Sequence, residues 1–184
     1  MSEYRRNFVA GGTFFFTVVT QHRKPLFLNT EARRLLGDIL RECFARYETN
    51  VIALVLLPEH LHTIWSLPQG DFDYSLRWRW IKREFTRLWL DRGGDEQPVS
   101  EASRSEQRRG VWQRRFWEHT IKDDADLEAH FDYIHYNPVK HGFVAQPLDY
   151  PWSTFHRWVR LGHYPQHWGA GYQASPLPGN AGEI

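Results

Sequence analysis

Residues Gly12 to Thr20, GTFFFTVVT, are β-branched and aromatic with no helix former, and this run predicts a first strand buried on both faces. A helix follows. Asn29 or Thr30 can cap it, and in EARRLLGDILRECFARY the residues Leu36, Leu40, Cys43 and Tyr47 recur at spacings that line one face. VIALVLLP is an apolar run of strand length, Pro58 and Glu59 make a turn, and HLHTIWSL continues as a second strand, so the pair reads as a hairpin. From Tyr74 the period is helical again, with Leu76, Ile81, Phe85 and Leu88 among basic residues. The stretch from Gly93 to Gly110 has no apolar periodicity and is long for a compact domain, which predicts a mobile loop. VWQRRFWEHTI reads as the last strand. DADLEAHFDYIHY reads as a helix whose Leu127, Phe131 and Ile134 form an apolar stripe ending before Pro138.

The order strand, helix, strand, strand, helix, strand, helix predicts an α+β fold: a ferredoxin-like split βαβ with helices packed on an antiparallel sheet. After Gly142 the chain becomes rich in Pro and Trp, with one short helix expected in WSTFHRWVRL, closed by Gly162. The expected division is a domain over residues 1–142 and a tail over 143–184 that docks on it, its last ten residues disordered.

A length of 184 residues suits one domain with an elaborated terminus. Nine Trp, eight Tyr and twelve Phe make the chain aromatic-rich: many of these rings belong in the core, and some are available for stacking. Cys43 is the single cysteine, so no intramolecular disulfide can form, and a cytoplasmic setting is the simpler reading. No apolar run marks a signal peptide or a membrane span. The net charge of +1 argues against coating nucleic acid by bulk charge. Its distribution matters more: Arg77, Arg79, Lys82, Arg83 and Arg87 are interleaved with Trp78, Trp80 and Trp89. They can grip phosphates and stack unpaired bases, or equally form a solvated helix face with the tryptophans in the core. Arg114, Arg115 and Lys122 border the last strand and can line the same groove.

His60 and His62 flank Leu61 on a strand, so both imidazoles project from one face and can share a metal ion. A strand with a polar wet face gives the same pattern. A third ligand is available on the helix before Pro138, where Tyr133 and Asn137 share one face and Asp126 and His130 extend the same polar stripe. A phenolic oxygen there can attack a phosphodiester polarised by a divalent cation. Free tyrosine has a pKa near 10, so the phenolate needs a cation or base beside it. Tyr133 packing over the sheet rim and Asn137 capping a helix end remain alternatives. Tyr136 is a rival nucleophile, but it lies about 300° around the helix from Tyr133. His119, His135, His141, His156, His163 and His167 read as surface or tail residues.

LLPEHLHTIW, IKREFTRLW, VWQRRFWEHTI and DYIHYNPVKHG, in this order, resemble the REP-associated tyrosine transposases, within the single-tyrosine HUH transposases. The likeness runs from the first strand through YPWSTF. It implies that His60 and His62 are metal ligands, Tyr133 the nucleophile and Asn137 the third polar ligand. It implies cleavage of single-stranded DNA to a 5′-phosphotyrosine and a free 3′-hydroxyl, then strand transfer without ATP, at palindromic hairpins flanked by a tetranucleotide. Histidine and amide ligands suit Mn²⁺ well and Mg²⁺ acceptably, and Zn²⁺ less. The expected setting is the bacterial cytoplasm, with a monomer favoured over a homodimer. Two other readings stand beside this one: a domesticated hairpin-binding protein without cleavage, and a hydrolytic nuclease in which water attacks.

Overall fold

The computed structural model describes residues 9–171. Its single antiparallel sheet has the order β2-β3-β1-β4, with β1 at Thr13–Val19, β2 at Asn50–Leu56, β3 at His60–Ser66 and β4 at Trp117–Thr120. β3 pairs antiparallel with both β1 and β2, so it is inserted between two parallel strands, which is the split βαβ arrangement. Helices cover both faces. α1 (Thr30–Arg46) and α2 (Tyr74–Asp91) pack on one; after a short α3 (Glu101–Ser105), α4 (Asp124–Lys140) crosses the other. β1 serves both cores through its alternation: Phe14, Phe16 and Val18 enter the one under α1 and α2, and Phe15 enters the one under α4. Burying a phenylalanine contributes about 1.5–3 kcal/mol, so this strand is a main source of cohesion between the layers.

The helix starts are fixed by polar caps. The Asn29 side chain accepts from the amides of Glu31 and Ala32 at 2.8 and 3.1 Å, so Asn29, rather than Thr30, caps α1. Asp73 and Asp123 do the same for α2 and α4. Cys43 is buried under α1, and burial pushes its thiol up to about 11, which makes it a core residue.

Three expectations are corrected. The last strand is shorter than Val111–Ile121: Trp117 pairs with Thr17 and Trp112 with Thr20, so five steps of this segment span three steps of β1. The surplus is looped out at Arg114 and Arg115, both exposed, while Phe116 turns into the core beside Trp78 and Lys82 Nζ donates to the Gln113 carbonyl at 2.9 Å. The segment from Gly93 to Gly110 carries α3, capped by Ser100, and is tied by a two-point Arg109–Glu96 ion pair. Polar capping and pairing, not apolar periodicity, shape it. α4 runs through Pro138 to Lys140, because so close to the helix end a proline costs few backbone bonds.

The segment after Gly142 packs along the β2 edge and the outer side of α4. Trp152 and Ser153 bond to β2, and α5 (Phe155–Arg160) sends the Arg157 guanidinium to the carbonyls of Val51 and Ile52. Gly162 closes α5 with φ +77°. The expected disorder of the last ten residues lies outside the described residues. His135 joins α4 to this segment, 2.9 Å from Thr154 Oγ1 and 3.3 Å from Tyr164 Oη.

Burial pushes the pKa of His135 down to about 3 from the usual 6.5. It is neutral in the folded chain and protonated in the unfolded chain across that window. Its contribution is therefore present in full above 6.5 and is lost as pH falls toward 3. The loss is at most about 1.4 kcal/mol per pH unit. Urea unfolding of His135→Gln should show a shallower pH dependence than the parent across the same range; parallel slopes would refute the assignment. Arg77 makes the second test. It is 2% exposed and donates to the Glu48 and Asp73 carbonyls, Thr49 Oγ1 and the Asp71 carboxylate. Arg77→Met keeps volume but leaves these acceptors without their donor, and should lower the unfolding free energy by about 2–4 kcal/mol in denaturant titrations. An unchanged midpoint would show that these hydrogen bonds contribute nothing.

Candidate active site

β3 begins at His60, directly after the hairpin turn, and its alternation sends His60 and His62 to the face under α4 while Leu61 enters the opposite core. Both imidazoles are buried, and their Nε2 atoms face each other at 3.1 Å. Each Nδ1 is already engaged: His60 Nδ1 lies 3.0 Å from the Glu59 carboxylate, and His62 Nδ1 lies 2.8 Å from Thr17 Oγ1. The bond to His60 holds the Glu59 carboxyl below its ordinary value. Burial, followed by the neighbouring His60, holds the His62 pKa well below 6.5, so this imidazole is neutral. In the tautomer that donates Nδ1–H outward to Glu59 and Thr17, both Nε2 lone pairs point inward. Two ligands at right angles about 2.1 Å from a cation stand about 3.0 Å apart, so the observed spacing fits one shared ion.

α4 brings the remaining groups to this pair. The Tyr133 ring packs 5.3 Å from the His62 ring and is 5% exposed. Lys140 Nζ stands 5.0 Å from the centroid of the Tyr133 ring. His141 lies 5.8 Å from His60, ring to ring. Asn137 lies between Tyr133 and His141 at helical spacing, on the helix face whose rings meet the histidine pair. It is fully buried, and both atoms of its amide lack a protein partner. Leaving a buried amide unsatisfied costs about 1–3 kcal/mol, a cost that ligation of a cation by Oδ1 would offset. His60, His62 and Asn137 thus fit a divalent metal. Tyr136 faces away, toward Trp168.

A second polar cluster lies nearer the start of α4. Asp126 bridges His119 Nε2 at 2.7 Å and His130 Nδ1 at 3.0 Å, and the ligand atoms of the three lie within 4.8 Å of one another, close enough to hold a metal ion. The two imidazoles are stacked with planes 13° apart. His130 Nδ1 also lies 2.8 Å from the Asp126 backbone carbonyl, so this nitrogen is already engaged within its own helix. Phe15 packs between the two clusters, 5.5 Å from His62 and 4.9 Å from His130. The expected surface position of His119 gives way to this network, which depends on strand register and so is not visible from spacing.

The basic residues divide. Arg77 is buried and fully engaged, so the expected DNA contact from this side chain is corrected: it anchors α2 to Glu48, Thr49 and Asp71. Arg79, Arg83 and Arg87 are exposed at intervals of four along α2, with Arg83 and Arg87 paired to Glu84 and Arg87 also to Asp91. Lys82 is held by Gln113 and stands over Phe116. Trp78, Trp80 and Trp89 are core residues. Because α2 and α4 cover opposite faces, the α2 stripe does not share the face of Tyr133; Arg114 and Arg115 lie beside the β4 edge. Lys140 and His141 lie past Pro138, where the sequence signals a helix stop; continuing the face at intervals of four reaches His141.

The family model described as transposase IS200 like matches residues 9–137, which include all four of these site positions. A REP-associated tyrosine transposase of Escherichia coli K12 is 45% identical over 169 residues, covering 91% of this chain and 91% of the relative. A solved structure described as a REP-associated tyrosine transposase bound to a REP hairpin is 40% identical and aligns with a TM-score of 0.80, covering 100% of this chain and 98% of that one. No helix among the described residues is long and apolar enough to cross a membrane. From the histidine pair and the Tyr–Asn face of α4, through the strand order, to the match over most of its length, the chain belongs to the IS200-like transposases, in the branch of the REP-associated tyrosine transposases.

Proposed function

We propose that the protein nicks and rejoins single-stranded DNA beside REP-type hairpins, with Tyr133 as nucleophile and a divalent cation, Mn²⁺ or Mg²⁺, held by His60, His62 and Asn137. The observation that carries this reading is the meeting of the Tyr133 ring with His62, whose Nε2 faces that of His60 at 3.1 Å. The E. coli relative's name and the hairpin-bound neighbour support the hairpin as target. When bound, the cation would polarise the phosphate oxygens and favour the phenolate.

The chain's own residues supply the rest. Lys140 Nζ stands 5.0 Å from the centroid of the Tyr133 ring, where its positive charge would meet the negative charge of the phosphate under attack. The phenolic proton passes to solvent as Tyr133 Oη attacks phosphorus, the bond to the 3′ oxygen breaks, and that oxygen leaves as a hydroxyl after taking a proton from solvent, so no net proton is consumed. The product is a 5′-phosphotyrosine. It keeps the phosphodiester's bond energy, so another 3′-hydroxyl reverses the attack without ATP. The enclosed position of Tyr133, 5% exposed in the free chain, would limit the access of water to the linkage, which favours strand transfer over hydrolysis. Arg79, Arg83, Arg87, Arg114 and Arg115 supply exposed charge for the phosphates of a stem. We infer a monomer acting in the cytoplasm.

Incubation with a labelled REP hairpin and Mn²⁺, followed by a denaturing gel, should give a covalent band that chelation abolishes. Tyr133→Phe should bind metal and hairpin like the parent and give no band. His60→Ala and His62→Ala should each cut the yield by at least about 100-fold, on the scale of lost metal catalysis. Hairpin binding without an adduct under both metals would favour a binding module, and cut product without an adduct would favour water as nucleophile. Separately, Arg114→Ala with Arg115→Ala should weaken hairpin binding and flatten its salt dependence, by about 0.7–0.9 in log–log slope for each phosphate no longer neutralised. An unchanged slope would remove both residues from the interface.

A further inference from the structure

The C-terminal turn of α4 carries an aromatic pair that neither the nucleophile nor the metal set uses. The helix ends on a glycine: Gly142 has φ +71°, its amide donates to the Val139 carbonyl at 2.9 Å, and the Phe143 amide reaches back to the Pro138 carbonyl at 2.9 Å. This double closure sets the direction in which the chain leaves the helix, and so sets Phe143. A hydrophobic residue at this position commonly buries itself against the last turn. Phe143 instead remains 45% exposed.

The rings form a continuous line. His62 and His60 lie 4.7 Å apart, His141 is 5.8 Å from His60, and Phe143 is 6.1 Å from His141 with planes 30° apart. The line starts in a buried pair and reaches solvent at His141 and Phe143, both exposed, with the buried Tyr150 ring 6.4 Å beyond Phe143. Lys140, one residue before His141, extends over the ring of Tyr133. His141 and Phe143 thus extend from the histidine pair toward solvent, within reach of nucleotides next to a phosphate at Tyr133. Unpaired bases have two bare π faces, and exposed aromatic rings bind them without regard to sequence.

We propose that His141 and Phe143 form a stacking platform for the unpaired bases beside the scissile phosphate, with Lys140 taking the phosphate side of the same nucleotide. This rests on the reading of Tyr133 as nucleophile. The platform holds the flank of the hairpin in line with the phenolic oxygen and fixes which phosphate is presented. His141 and Phe143 would therefore govern binding of flanked substrates, while leaving the bare hairpin unaffected.

The test uses the full chain carrying Tyr133→Phe, so that binding is read without cleavage. The probe is a REP hairpin oligonucleotide with an unpaired flank containing 2-aminopurine beside the expected cut, set against the same hairpin without a flank. Binding should quench the 2-aminopurine. Adding Phe143→Ala should remove the quench and weaken binding of the flanked probe by about 5- to 150-fold, the span of one base–aromatic stack. The flankless hairpin should bind as before, and Phe143→Trp should restore both signals. Equal quench and affinity after Phe143→Ala, or equal weakening of both probes, would overturn the platform. Failure of the tyrosine mechanism is a separate result: an adduct that survives Tyr133→Phe.

Discussion

The candidate site depends on the contact between His60 Nε2 and His62 Nε2, 3.1 Å apart in a buried setting. With lone pairs inward the two nitrogens repel, and only a cation or a shared proton between them makes the contact favourable. The fold imposes it through β3, which is bonded on both sides, by β1 and by β2, and so cannot rotate either imidazole outward. Glu59 and Thr17 complete the constraint by engaging the outer nitrogens, as carboxylate and hydroxyl partners of metal-bound histidines do. Burial then keeps His62 neutral and so available as a ligand without displacing a proton.

α4 sets out the remaining groups along this pair. His130, Tyr133, Asn137 and His141 recur every three or four residues on the face toward the sheet, and the continuation through Pro138 is what brings His141 beside His60. The outer side of the same helix is used differently. Phe131 and His135 pack against Trp158 and Tyr164 of the following segment, which is itself bonded to β2. The helix is thereby clamped between the sheet and this segment. Its register relative to β3 is fixed by two independent surfaces, which is what the proposed nucleophile on α4 and the proposed ligands on β3 would need to act on one phosphate.

Much of this is legible in the sequence because it follows from periodicity. The doubly buried β1, the hairpin, α1 and α2 are patterns of two or of 3.6 residues, and the His60–His62 face follows from strand alternation alone. What is not legible depends on partners distant in the chain. Arg77 reads as one more cation of a basic helix until Glu48, Thr49 and Asp71 are brought around it. The last strand reads as eleven residues until Phe116 is drawn into the core and two arginines are displaced to the edge. Asp126 and His130 are visible as a stripe, but their joining to His119 needs the register of β4 beside β1.

The separation of faces bears on the shape of the substrate. The α2 stripe and the Tyr133 site lie on opposite sides of the sheet, so a short strand lying on one side cannot engage both. Arg114 and Arg115 occupy the looped-out part of the edge segment, where the two sides meet. Under the proposed function, a hairpin suits this arrangement better than a plain single strand. Its stem carries paired phosphates that basic side chains at an edge can hold without reading sequence, and its unpaired flank is narrow enough to enter the rim at His141 and Phe143. A net charge of only +1 is then sufficient, because affinity comes from placing a few cations where a rigid stem lies, and the buried tyrosine is reached by the flexible part alone.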